Sequence, residues 1–113
     1  MRVFCYAYEG MYQGLHGIYD YEIMDFPDDI NEAINELNIW GSEASEQLIY
    51  TYGFENELED GESIENSSYY QDRGWEGYKI RDDVELSTEE LDKIFYKLGV
   101  NDFIEEYCEK DPI

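Results

Sequence analysis

The first part of the chain carries hydrophobic patterns that are typical of β-strands. Residues 2–8 are apolar on both faces and contain no Gly or Pro, which predicts a strand at the centre of a sheet. Residues 18–24 alternate from one face to the other and predict a second strand. Residues 9–17 contain three glycines, a composition that favours a loop. The sequence therefore predicts an antiparallel hairpin closed by a long loop.

The next segment changes to a helical period. Apolar residues recur three and four positions apart in residues 30–37, and one of the two aspartates before them is well placed as a cap. Residues 39–41 contain a glycine and predict a break. A second helix is expected over residues 43–52, with Ser42 as its cap. The pattern thus predicts two short helices in succession.

Residues 54–66 show no clear period and predict a loop. Residues 67–70 and 74–80 predict a further hairpin, whose second strand carries Trp75, Tyr78 and Ile80.

The strongest local signal lies in the last third of the chain. Ser87 and Glu90 have the spacing of a capping box, in which each side chain bonds the backbone amide of the other. An apolar stripe follows and ends at Gly99, which predicts a helix. A last short helix is expected over residues 102–108. The order of elements predicts one α+β domain, residues 1–113. We expect a small antiparallel sheet of three to four strands with about four short helices packed on one side.

Composition and charge narrow the range of partners that this chain can bind. The chain has a net charge of −22, from 29 acidic against 7 basic residues, whereas a small domain typically carries a magnitude of about 2 to 8. Such a polyanion is repelled by nucleic acids and by anionic membranes, so neither is expected as a direct partner. The aromatic content of 17% favours a folded body over a disordered acidic chain.

Cys5 and Cys108 are too few for a disulfide framework, and we interpret them as reduced core residues. The chain shows neither a signal peptide nor an apolar segment near 18 residues, which predicts a cytoplasmic protein.

Few residues suggest catalysis or metal binding. His16 is the single histidine, and a histidine between glycines is more often a turn residue than a catalytic group. In residues 54–66 no register places both the glycine and the ligands of an EF-hand loop correctly. We therefore expect no enzymatic activity, no cofactor and no metal. A small hydrolase or transferase using His16, and a loose calcium site in the loop, remain lesser alternatives.

Tyrosine is abundant, with twelve residues that strand propensity and packing largely explain. A sharper interpretation concerns Tyr69 and Tyr70, which directly follow the acidic loop. Aromatic rings beside carboxylates bind arginine side chains by stacking and by charge together.

The charge is unevenly distributed. Residues 3–72 contain seventeen acidic residues and no Lys or Arg, which favours a dedicated acidic face over the evenly charged surface of a halophilic or very soluble protein. DNA carries one charge per ~1.7 Å of axis, so 22 net charges match about 11 base pairs. A rigid domain with such a face suits a basic nucleic-acid groove.

Three features of the N-terminal third resemble the ArdA-type antirestriction proteins: the pair Ala7-Tyr8, the turn Gly14-Leu15-His16-Gly17 and the strand start Ile18-Tyr19-Asp20. The resemblance covers roughly the first 35 residues. It implies a DNA-mimic inhibitor of a host defence nuclease, of the kind that phages and mobile elements use against restriction or CRISPR systems.

We therefore expect a non-enzymatic inhibitor that occupies the basic groove of a nucleic-acid-binding protein, either a CRISPR effector or a restriction enzyme. The alternative is an acidic adaptor or antitoxin-like protein that neutralises a basic protein partner through its helices. The sequence leaves open whether the chain is a monomer or a homodimer. The residues predicted to bind the partner are Glu55, Glu57, Glu59, Asp60, Glu62 and Glu65, with Asp28, Asp29, Glu32 and Glu36 as a second group, and Tyr69 and Tyr70 beside them.

Overall fold

A three-stranded antiparallel sheet organises the protein, in the order β2-β1-β3. The strands are β1 (Arg2–Glu9), β2 (Ile18–Asp25) and β3 (Arg73–Lys79). They are seen in a computed structural model, which describes residues 1–9, 18–51 and 73–113. β1 is the central strand, as its two apolar faces predict. Its hairpin pairing with β2 is confirmed, with Arg2 opposite Asp25 at one end.

Helices cover both faces of the sheet. Helix α1 (Ile30–Thr51) packs on the face that carries Val3 and Cys5 of β1. Helices α2 (Thr88–Leu98) and α3 (Val100–Tyr107) pack on the opposite face, against Phe4. The prediction that all helices lie on one side is therefore wrong. The reason is the two-sided apolar pattern of β1, because each of its faces must be shielded from water.

The α+β class is confirmed, with three strands and three helices within the described residues. The three strands agree with the predicted three to four, and one helix fewer than predicted is seen in the described ranges because α1 is one continuous helix. The predicted break at residues 39–41 does not occur. Gly41 is helical, and the indole ring of Trp75 lies so close that a Cβ on Gly41 would come within 2.1 Å of the ring. Gly41 thus marks a close contact between helix and sheet instead of a helix end.

The second half of the chain follows its local signals closely. The capping box of Ser87 and Glu90 is confirmed, with the Glu90 amide donating to Ser87 Oγ at 3.1 Å. Gly99 separates α2 from α3 and has φ 79°, a left-handed value that favours glycine. Helix α3 begins at Val100, two residues before the predicted start.

Long-range bonds join the C-terminal segment to the sheet. The Ile113 amide donates to the Gly77 carbonyl of β3, and the Arg2 guanidinium donates to the carbonyls of Val84 and Leu86. Cys108 lies beside Ile80 in an isolated bridge.

The predicted burial of both cysteines is confirmed, and each thiol is unpaired. Within the described ranges, no helix has the length and apolarity needed to cross a membrane. The predicted strand at residues 67–70, the acidic loop at 54–66 and most of the loop at 9–17 lie outside the described residues.

Candidate functional site

The outer surface of α1 carries a line of carboxylates. Glu32, Glu36 and Glu43 are exposed and lie four and seven residues apart, so they share one side of the helix. Ala33 and Leu37 are buried and turn the other side toward the sheet. We call Glu32, Glu36 and Glu43 the α1 acidic row. The row exists because the apolar residues of α1 determine which side of the helix faces solvent.

The aspartates before α1 have structural roles. Asp29 is the N-terminal cap, since its Oδ1 accepts a hydrogen bond of 3.0 Å from the Glu32 amide. Asp28 accepts a hydrogen bond of 2.9 Å from the amino group of Met1, and this bond lowers the pKa of the Asp28 carboxyl. The positive end of the helix dipole also favours acidic groups here. Of the four residues predicted in this region, Glu32 and Glu36 therefore carry the charge that is free to meet a partner.

No described lysine or arginine compensates the α1 acidic row. Among the described residues, the side-chain ion pairs of basic residues all lie around the end of β3 and the segment that follows: Lys79 with Asp82 and Glu109, and Arg81 with Asp83. The row thus presents an unopposed negative field on the α1 side of the sheet.

A cleft and an exposed apolar side chain lie beside the α1 acidic row. A shallow cleft with a volume of about 470 Å³ lies along the first turns of α1. The described residues that line it are Pro27, Asn31, Glu32, Asn35 and Glu36. Ile39 is 49% exposed and sits between Glu36 and Glu43 on the helix surface. The amides and the isoleucine suit a protein partner, which offers hydrogen bonds and apolar groups as well as positive charge.

A second acidic surface, which was not predicted from the sequence, lies on the opposite side of the sheet. Asp102, Glu105 and Glu106 are exposed on α3, while Val100 and Phe103 of the same helix are buried. Their spacing of three and four residues on a predicted helix was the available signal. Exposed carboxylates therefore occur on both sides of the sheet, so net charge and the position of charge must be tested separately.

The buried cysteines are poorly suited to nucleophilic chemistry. Burial raises the pKa of the Cys5 thiol to about 12, and that of Cys108 equally. Both sulfurs stay protonated at neutral pH, and the thiolate is the reactive form. In the parts of the chain that the structure describes, no three histidine, cysteine or acidic side chains are grouped to hold a metal ion.

The remaining predicted site residues lie outside the described ranges. These are Glu55, Glu57, Glu59, Asp60, Glu62, Glu65, Tyr69 and Tyr70, together with His16.

Comparisons with protein families, with curated proteins and with solved structures found no match to this chain. The resemblance of the N-terminal third to ArdA-type proteins stays a prediction.

Proposed function

We propose that this protein is a non-enzymatic inhibitor that occupies the basic nucleic-acid-binding groove of a defence nuclease, either a CRISPR effector or a restriction enzyme. The observation that carries the proposal is the α1 acidic row, a line of carboxylates on one side of a helix that no described lysine or arginine pairs with. A net charge of −22 directs such a protein toward basic surfaces at long range.

The spacing of the row supports mimicry of a nucleic-acid strand. An α-helix rises ~1.5 Å per residue, so the row extends over about 17 Å from Glu32 to Glu43. One DNA strand places about five phosphates over the same length, at ~3.4 Å each. The three carboxylates therefore reach about three-fifths of the linear charge density of a strand. A groove lined by lysines and arginines can therefore form comparable ion contacts with the α1 acidic row and with a DNA strand.

The scaffold supports the same proposal. Ala33, Leu37 and Trp40 anchor α1 to the sheet, and the Trp40 indole also donates to Glu22 at 2.9 Å. Carboxylates on an anchored helix are held near their bound positions, so less conformational entropy is lost on binding. Ile39 adds an apolar contact that a nucleic acid does not offer, which favours retention in a protein groove.

The test is competition with DNA. A fluorescent 30-base-pair duplex is bound to purified restriction enzymes and CRISPR effectors, and its displacement by this protein is followed by anisotropy over a salt series. The decisive variant is Glu32→Gln/Glu36→Gln/Glu43→Gln. Its matched control is Asp102→Asn/Glu105→Gln/Glu106→Gln, which removes the same charge from α3.

We expect the α1 variant to lose displacement by at least about tenfold, since each contact in a charged interface contributes about 1 kcal/mol or more. The α3 variant should retain most of it, and displacement by the parent protein should weaken steeply with salt. Equal losses in the two variants would show that net charge acts without the row. Displacement that does not change with salt would refute mimicry.

A second candidate is an acidic adaptor or antitoxin-like protein that neutralises a basic protein through its helices. Tyr96 favours it, because this ring on α2 is 78% exposed and lies away from the α1 acidic row. Tyrosine is enriched at energetically important interface positions. In that case Tyr96→Ala should abolish partner binding while the α1 variant keeps it.

A further inference from the structure

On the sheet face covered by α2 and α3, β1 and β3 bring three tyrosines around one carboxylate. Tyr6 lies directly opposite Glu76, and its hydroxyl donates a hydrogen bond of 2.5 Å to Glu76 Oε2. Tyr8 and Tyr78 flank this pair. The rings of Tyr6 and Tyr78 are parallel at 6.5 Å, and those of Tyr6 and Tyr8 are 5.9 Å apart. We call Tyr6, Tyr8, Glu76 and Tyr78 the tyrosine–glutamate cluster.

Gly74 makes this arrangement possible. Gly74 lies opposite Tyr8 in the register, and a Cβ on Gly74 would come within 2.6 Å of the Tyr8 ring. The ring therefore lies over the Gly74 backbone, next to Glu76. A larger residue at position 74 would push Tyr8 out of the cluster.

The cluster is partly open to solvent and has no described cation. Tyr6 is 6% exposed and is the most deeply buried member of the cluster, whereas Tyr8, Glu76 and Tyr78 are half-buried. Burial raises the pKa of the Tyr8 and Tyr78 hydroxyls, and the negative charge of Glu76 raises both further. The hydroxyls thus stay protonated, and Glu76 is the one charged member. Among the described lysines and arginines, none forms an ion pair with Glu76.

We propose that the tyrosine–glutamate cluster binds the guanidinium group of an arginine side chain on a protein partner. The free lone pairs of Glu76 accept guanidinium N–H bonds, while a tyrosine face supports the flat cation. A lysine ammonium fits less well, because it neither stacks nor donates in a planar fork. A metal ion is unsuited, because calcium and magnesium take six or more oxygens, and no three acidic, histidine or cysteine side chains of the described residues are grouped to hold one.

The negative charge of this chain indicates that the arginine belongs to a basic protein. A chain with net charge −22 concentrates basic proteins at its surface, and an arginine side chain can reach a half-buried carboxylate while its backbone stays outside. The cluster lies on the opposite sheet face from the α1 acidic row, and this inference does not depend on the proposed inhibition of a nuclease.

The test is a titration followed by NMR of the tyrosine rings, with no nuclease or DNA present. The probes are two short capped peptides, Gly-Arg-Gly and Gly-Lys-Gly. We expect the arginine peptide to shift the ring signals of Tyr8 and Tyr78 and to bind at least about threefold more tightly than the lysine peptide.

The variant Glu76→Gln keeps an oxygen that accepts the Tyr6 hydrogen bond but removes the charge. It should weaken binding of the arginine peptide by at least about fivefold. Glu85→Gln is the matched control, since it removes one charge from an exposed residue elsewhere, and it should change affinity by less than about twofold. Tyr78→Leu, which removes a ring and keeps every charge, should weaken the arginine peptide more than the lysine peptide.

Three results would overturn the proposal. Equal weakening by Glu76→Gln and Glu85→Gln would mean that only net charge attracts the peptide. Equal affinity for the two peptides would remove the guanidinium preference, and unchanged tyrosine signals would place binding elsewhere. The last two comparisons use the unaltered protein, so they decide the question even if a variant fails to fold. A failure here leaves the DNA-competition test unaffected, because that test concerns the other sheet face.

Discussion

Gly41→Ala is the sharpest test of how α1 packs on the sheet, because it changes the free energy of unfolding by two effects of opposite sign. In an exposed helix interior, alanine is favoured over glycine by about 1 kcal/mol. Here the new methyl group would lie 2.1 Å from both Cγ and Cδ2 of the Trp75 indole. Cγ is the ring atom nearest the β3 backbone, so the ring cannot turn away without leaving its place on α1.

Inserting a methyl group into a packed site costs about 1–3 kcal/mol, and expelling a large side chain costs about 3 kcal/mol or more. After the helix gain of about 1 kcal/mol is subtracted, we expect Gly41→Ala to lower the free energy of unfolding by up to about 2 kcal/mol if the ring shifts, and by about 2 kcal/mol or more if the ring is expelled. In a Trp75→Ala background the obstacle is gone, and Gly41→Ala should instead raise the free energy of unfolding by about 1 kcal/mol. The coupling between the two sites then equals the steric cost, about 1–3 kcal/mol or more.

The measurement is urea unfolding of the four proteins of this double-mutant cycle, followed by circular dichroism. Ser42→Ala supplies a control on the same helix. If a second helix began at residue 43, Ser42 would be its cap and the substitution would cost about 1 kcal/mol. Within one continuous helix the change should gain up to about 0.5 kcal/mol. Stabilisation of the parent protein by Gly41→Ala would refute the contact of α1 with Trp75, and destabilisation by Ser42→Ala would refute the continuity of α1.

Four further outcomes are expected. Ser87→Ala should lower the free energy of unfolding by about 1 kcal/mol in the same urea assay, because the cap of α2 is lost; an unchanged midpoint would contradict this. Burial raises the pKa of the Asp20 carboxyl, so the folded state binds that proton more tightly than the unfolded state does. Asp20→Asn should therefore stabilise the protein at pH 7, and this gain should shrink as the pH falls through the raised folded-state pKa and disappear below about pH 4, near the unfolded-state pKa. A gain that is independent of pH would contradict the raised pKa of Asp20. Cys5 and Cys108 should react with a thiol reagent only as fast as the protein opens, because burial keeps both thiols protonated. Finally, sodium chloride should raise the melting temperature, since it screens the repulsion among the excess carboxylates.

Signals that act within a few residues were predicted well from the sequence. The capping box of Ser87 and Glu90 needs only a spacing of three residues, and the structure shows both of its hydrogen bonds. The central position of β1 follows from an apolar pattern on two faces, which only a strand covered on both sides can bury. The acidic positions of α1 likewise follow from the helical period.

Features that depend on distant residues were not predicted. The glycine at position 41 is typical of a break, and only the packing of Trp75 from β3 shows why a glycine lies inside a continuous helix. The tyrosine–glutamate cluster joins residues seventy positions apart, so its geometry depends on the register of β1 with β3.

The sequence by itself determined the strand character of β1, β2 and β3, where α2 begins and how negative the molecule is, because these depend on local spacing and on composition. The tertiary structure decided which carboxylates share a surface and which are paired. It placed Asp28 against an amino group, left Glu32 and Glu36 exposed without a described cation, and enclosed Glu76 among tyrosine rings. The physical reason is that the partners of a charge are set by packing between elements, and the position of a residue along the chain does not encode that packing.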